Sequence, residues 1–235
     1  MTFCDDQYEV HSNIQKMIRE IKNLYKEINS FKKWAAKHYP QCDEEHDNGE
    51  WEFGVNSHFD EMVSAAEEVI SKIDHKDADE ELIDALLFVV ARDNECENLA
   101  DELIKHEGWF ELLATRSVGS KYINAQWQFA KRVGEVECCK NLVYEFIDSE
   151  NEYTSRMALQ TLADIDPEKA EEYAELMWNR RKYAEGSYED EYQKIMALHV
   201  LHAIKSKKLE EYLDKAMESS YVYLKDNAEG IRKQL

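Results

Sequence analysis

Glycine and proline are scarce in this chain, at 7 and 2 of 235 residues. An all-β sandwich or barrel needs turn residues at every reversal, so so few of them nearly exclude it. Apolar β-branched runs feeding Gly-rich loops, the mark of a βαβ enzyme, are missing as well. No apolar run approaches the length of about 18 residues that a membrane span requires, so no membrane partner is expected. The stretch MTFCDDQYEVHSN has acids where a secretory signal needs basic and then apolar residues. The 5 cysteines (Cys4, Cys42, Cys96, Cys138, Cys139) are odd in number and include an adjacent pair. They do not suit a disulfide framework and are expected to be reduced thiols in a cytoplasmic protein.

Positive charge is also in short supply. There are 29 Lys+Arg against 50 Asp+Glu, a formal net charge of −21. Such a chain repels phosphates and anionic lipid surfaces, so nucleic acid is not an expected partner. Catalytic signatures are absent too: no Gly-rich phosphate loop, no GxSxG, no HExxH and no paired CxxC. Cys42, His46 and His58 could begin a zinc site but lack a fourth ligand. His199 and His202 are three apart on one helix and are expected at a helix–helix seam. Trp109, Trp127 and Trp178 are expected in the core. No catalytic residue, metal or cofactor is expected, and the chain does not read as an enzyme.

What is present is helical periodicity. Hydrophobic residues make up 43% of the chain, enough for a core. Over residues 6–38, Val10, Ile14, Met17, Ile21, Leu24, Ile28, Phe31 and Ala35 alternate steps of four and three, the spacing of one buried helical stripe. Ile18, Tyr25 and Trp34 widen that stripe, which favours packing on the rest of the molecule over a free zipper. The tract ends near Tyr39-Pro40, because proline disfavours helix at the residue before it. Residues 41–57 break the pattern and read as an acidic loop. Ser57, with Asp60 in the first turn, starts a second helix that runs to about Ile73.

From about residue 79 the chain settles into helix pairs. ELIDALLFVVA precedes ECENLADELIKH, KYINAQWQFAKRV precedes ECCKNLVYEFI, YTSRMALQTLADI precedes PEKAEEYAELMWN, and YQKIMALHVLHAI precedes KLEEYLDKAMES. The first helices align on Ala85, Ala125, Ala158 and Ala197, and a last unpaired helix on Ala228. Tyr153, Tyr192 and Tyr223 each stand five residues before their alanine. Periods of 31 to 40 residues mark helical solenoids, in which each pair buries the face its neighbour leaves open. Pro167, after Asp166, sits where a helix tolerates a missing N–H.

The stretches SRMALQTLADIDPEKAEEYAELM and QKIMALHVLHAIKSKKLEEYLDKAM resemble HEAT repeats, the likeness covering roughly residues 79–233. The resemblance implies an all-α fold: a right-handed α-solenoid of HEAT-like helix pairs with a long N-terminal capping helix. Residues 1–78 are the expected cap, including the acidic loop 41–57, and residues 79–235 one continuous repeat domain.

The charge is unevenly divided. Residues 1–40 hold 7 basic and 5 acidic residues, residues 41–107 hold 4 and 22, and residues 108–235 hold 18 and 23. Such a cluster repels itself and would speed the encounter with a basic protein. Trp51 and Phe53 lie among the acids, as an aromatic anchor within a steering rim. The expected partner-binding residues are Asp43, Glu44, Glu45, Asp47, Glu50, Trp51, Glu52 and Phe53, with Asp60 and Glu61 nearby. Small acidic HEAT-like proteins are similar to bacterial immunity proteins, which implies a non-enzymatic module blocking a basic, nuclease-type toxin. The alternatives are a HEAT-like DNA glycosylase, for which Arg180, Arg181, Lys182, Lys205, Lys207 and Lys208 would supply a basic cluster, and a generic scaffold.

Overall fold

A computed structural model of the chain describes residues 3–39 and 57–235, with side chains from residue 15 onward. Among the described residues the chain forms twelve α-helices and two short 3₁₀ turns, with no strand. The chain divides into two compact units, residues 1–129 and 130–235. The domain boundary expected at 78/79 therefore falls inside the first unit.

In the first unit, α1 (Phe3–His38) packs against α2 (Ser57–Lys72) and α3 (Glu80–Arg92); α2 also packs against α4 (Asn98–Ile104), and α5 (Glu107–Ser117) against α3 and α4. The stripe of α1 buries Leu24, Ile28, Phe31 and Ala35, whereas Ile18 is exposed. Glu20 and Glu27, polar positions beside that stripe, are also buried. Burial is sustained there by cations: Arg19 bonds Glu20 at 2.6 Å, Lys72 reaches it at 3.5 Å, and Lys26 bonds Glu27 at 2.6 Å. Helix α3 is well started, because the Asp79 carboxylate accepts from the Leu82 N–H at 2.8 Å and acids fill the first turn. Buried Asp93 likewise accepts from the Leu99 N–H at 2.8 Å and so opens α4.

Helix α5 departs from the expected pairing. Its sequence, EGWFELLATRS, is weakly amphipathic and opens with no side-chain cap and a glycine at its second position, so its periodicity is faint. It buries Trp109, Phe110, Leu113 and Ala114, and Trp109 Nε1 donates to the Ile73 carbonyl at 2.9 Å. Gly108 lets it approach the 3₁₀ turn His75–Asp77, since a Cβ there would stand 2.3 Å from the His75 ring. The extra helix lies between Ala85 and Ala125. Helix α6 (Ile123–Arg132) contains the point of division. Its Gln128 donates to the Val90 carbonyl at 2.8 Å, and Phe110 meets Phe129 edge-on at 5.3 Å.

The second unit holds α7 (Leu142–Ile147), α8 (Glu152–Ile165), α9 (Pro167–Asn179), α10 (Tyr188–Ala203), α11 (Leu209–Glu218) and α12 (Val222–Arg232). The helix expected over ECCKNLVYEFI is broken: a 3₁₀ turn (Glu137–Cys139) precedes a short α7. The Cys139 N–H bonds back to the Val136 carbonyl at 2.9 Å, and Cys and Asn are weak helix formers. Helix α8 packs on α7, α9 and α10, and α10 on α8, α9, α11 and α12. Asn151, Asp166 and Ser187 cap α8, α9 and α10 through the N–H groups of Thr154, Lys169 and Asp190, and Pro167 fills the first helical position of α9. Of the aligned alanines, Ala125, Ala158, Ala197 and Ala228 are fully buried and Ala85 half-buried. Helix α10 ends with Lys205 at φ 55°, the Ser206 N–H bonding the Leu201 carbonyl and the Lys205 N–H that of His202. This is a Schellman stop with lysine where glycine is preferred.

Candidate functional site

The period of α2 sorts its side chains cleanly. Met62, Ala65, Ala66, Val69 and Ile70 are buried, while Asp60, Glu61, Ser64, Glu67, Glu68 and Ser71 are exposed along the opposite face. Four carboxylates thus line one stripe of two and a half turns, with Lys72 at its end, 3.3 Å from Glu68. Asp60, Glu61 and Glu67 make no ion pair with a described residue. Asp60, Glu61 and Glu68 join Glu27 and Asn23 of α1 around a shallow groove of about 280 Å³. The structure so brings the expected Asp60 and Glu61 together with Glu27 and Glu68, which the sequence did not single out. Asp43, Glu44, Glu45, Asp47, Glu50, Trp51, Glu52 and Phe53 lie outside the described residues.

Several other acids of this region are put to structural use. Asp79 caps α3, Glu80 pairs with Arg116, Asp84 accepts from the Tyr122 hydroxyl at 2.9 Å, and Glu102 is bonded by Lys105 at 2.6 Å. Burial pushes the Tyr25 phenol up to about 12, with the fields of Glu81 and Asp79 adding to it. The bond from Arg19 holds the Glu20 carboxyl below the usual range against its desolvation. Lysines gather at a cleft of about 630 Å³ at the C-terminal end of α1. Lys26, Lys33 and Lys37 line it with Trp34, and Ser30 bonds His58 there at 3.0 Å.

The second unit presents a different surface. Tyr153 on α8, Tyr188 and Tyr192 on α10, and Tyr223 on α12 are all exposed. The Arg156 guanidinium lies over the rings of both Tyr153 and Tyr192, at 4.8 and 5.1 Å, and its Nε stands 2.9 Å from the Glu152 carboxylate. Burial pushes Glu152 up despite the opposing pull of Arg156 and Arg180. Beneath, Arg180 donates to Gln193 at 2.7 Å and Ser155 at 3.0 Å, and Gln193 donates to Asp190 at 2.7 Å. Burial would raise Asp190, but bonds from Lys194, Tyr221 and Gln193 outweigh it and hold that carboxyl below its usual range. The recurrence of tyrosine five residues before the repeating alanine was the one sequence signal for this surface. The arginine–carboxylate network gave none, since its members are far apart in the chain.

The cations considered for a basic cluster are partly committed. Lys208 pairs with Glu171 and Glu175, Lys182 reaches the Ser149 carbonyl and Glu150, and Arg180 is tied as above. His199 bonds Asn227 at 2.8 Å across the seam between α10 and α12. Trp109, Trp127 and Trp178 are all buried. Among the described residues, no group of three His, Cys, Asp or Glu side chains is placed to hold a metal ion, and no helix is long and apolar enough to cross a membrane. The chain matches no family model, no curated protein and no solved structure.

Proposed function

We propose that this chain is a protein-binding module that captures a basic protein on the carboxylate face of α2. The observation that carries this reading is the stripe of Asp60, Glu61, Glu67 and Glu68, of which only Glu68 forms an ion pair with a described residue. Unpaired carboxylates held side by side are destabilising to keep unless a partner uses them. Approach of Lys- and Arg-bearing surface relieves that repulsion and raises the rate of encounter. A nuclease is the partner class that fits best, because its substrate site must be cationic to hold phosphate, and a carboxylate array stands in for that phosphate. The reading is therefore of an immunity-type inhibitor that occludes a toxin, built on HEAT-like stacked pairs. The order in which α8, α9, α10, α11 and α12 pack and the buried alanines of the second unit support such stacking.

The exposed tyrosines of α8, α10 and α12 favour one second reading, a scaffold that docks a protein through an aromatic face, since Tyr and Arg are enriched at binding hot spots. Copurification from the native host separates the two. The inhibitor reading expects a basic partner that salt releases and that Asp60→Lys/Glu61→Lys/Glu67→Lys abolishes. A neutral partner retained by that variant and lost on Tyr192→Ala would replace it with the scaffold.

A further inference from the structure

We propose that Cys138 and Cys139 form a dithiol site that captures a trivalent arsenical. The 3₁₀ turn Glu137–Cys139 brings their sulfurs to 3.8 Å of each other, with Cys138 exposed and Cys139 buried behind it. A disulfide suits this pair poorly. Adjacent Cα atoms stand about 3.8 Å apart across a trans peptide, inside the lower limit of about 4.4 Å for ordinary bridges. The same sulfur separation suits a bridging atom. Two bonds of about 2.3 Å from a thiophilic centre, opened to a near-tetrahedral angle, span about 3.8 Å.

The choice of ligand follows from the donors. Thiolates are soft ligands and select soft centres. Among the described residues, no third His, Cys, Asp or Glu completes a metal-binding set at this turn, so these residues do not serve an ion needing four protein ligands. A three-coordinate electrophile that brings its own third substituent is. Cys138 is met first, from solvent, and Cys139 closes the ring from behind. The step is a substitution: an arsenoxide R–As=O and two thiols give R–As(S)₂ and water. Two S–H bonds break, two As–S bonds form, both protons leave on the oxygen, and nothing is oxidised or reduced.

The test uses the full reduced chain with phenylarsine oxide as probe, read by intact mass and by peptide mapping. One equivalent is expected on the peptide bearing Cys138 and Cys139, retained in excess monothiol and removed by 2,3-dimercaptopropanol. Because ring closure makes the second bond intramolecular, Cys138→Ser should weaken retention about 100-fold or more, while Cys96→Ser changes nothing. Cys138 is exposed, so its variant should keep the helical circular dichroism of the parent, which Cys139→Ser need not. Retention by folded Cys138→Ser at the parental level, transfer of the adduct to another cysteine, or release of the parental adduct by monothiol alone would each overturn the proposal.

Discussion

Both units carry many exposed carboxylates, and these are paired to different degrees. In the second unit many acids are paired, Glu172 with Lys169, Asp190 with Lys194, Glu171 and Glu175 with Lys208, Glu211 with Lys215 and Asp214 with Arg232, whereas Glu210 and Glu218 form no ion pair with a described residue. On α2 the stripe carries Asp60, Glu61, Glu67 and Glu68 with Lys72 alone. What sets α2 apart is that its carboxylates Asp60, Glu61, Glu67 and Glu68 fall side by side on one face with a single ion pair among the described residues, between Glu68 and Lys72. Exposed pairs contribute little to stability, about 0 to 1 kcal/mol each, but they do neutralise the field that an incoming partner would feel.

The largest expected effect tests that contrast directly. Reversing Asp60, Glu61, Glu67 and Glu68 to lysine should weaken a complex with a basic partner by about 3 kcal/mol or more, through both slower association and faster release. Reversing the equally exposed Glu210, Glu211, Asp214 and Glu218 of α11 should change affinity by less than about threefold. Titration calorimetry of both variants decides whether position or only total charge matters.

Among the aligned alanines Ala85 is half-buried and the others are fully buried, and stability should follow. Ala197→Leu should cost about 1 to 3 kcal/mol, since the site is fully buried and overpacking strains a filled core. Ala85→Leu should cost less, because Ala85 is only half-buried. Urea unfolding midpoints compare them. An equal loss at both would remove the distinction between the repeats.

Two carboxylates of the second unit should give opposite pH responses. Asp190 is held below its usual range, so its contribution is complete above the unfolded value near 3.9 and is lost as pH falls through the folded value. Glu152 is raised, so its contribution is complete below the unfolded value near 4.3 and is lost as pH rises through the folded one. Asp190→Asn should therefore flatten the acid limb of a stability–pH curve, and Glu152→Gln the limb above it. The smallest effect is a gain: Lys205→Gly relieves a left-handed backbone at the end of α10 and should add up to about 1 kcal/mol, visible as a raised Tm.

Much of the fold was legible because apolar spacing reports burial directly. The stripe of α1 through Leu24, Ile28, Phe31 and Ala35, the inward residues of α2 and the alanines of α8, α10 and α12 follow from period alone. Helix α5 was not legible, since its burial comes from Trp109 and Phe110 docking on distant residues and not from a repeating stripe. Buried Glu20 and Glu27 were also unreadable: their partners include Lys72, on another helix. Of the acidic candidates, Asp60 and Glu61 fall on the stripe their spacing with Glu67 and Glu68 implies. The Arg156 stack between Tyr153 and Tyr192 joins two helices whose sequences, taken singly, say nothing of it.

The most direct test of the central claim is the salt dependence of a purified complex with the basic partner, measured for the parent chain and for the four-residue α2 reversal. The account predicts that affinity of the parent falls steeply with added salt and that the reversed variant binds weakly with a nearly flat response. A parental affinity indifferent to salt, or an α2 variant that binds as tightly as the parent, would contradict it.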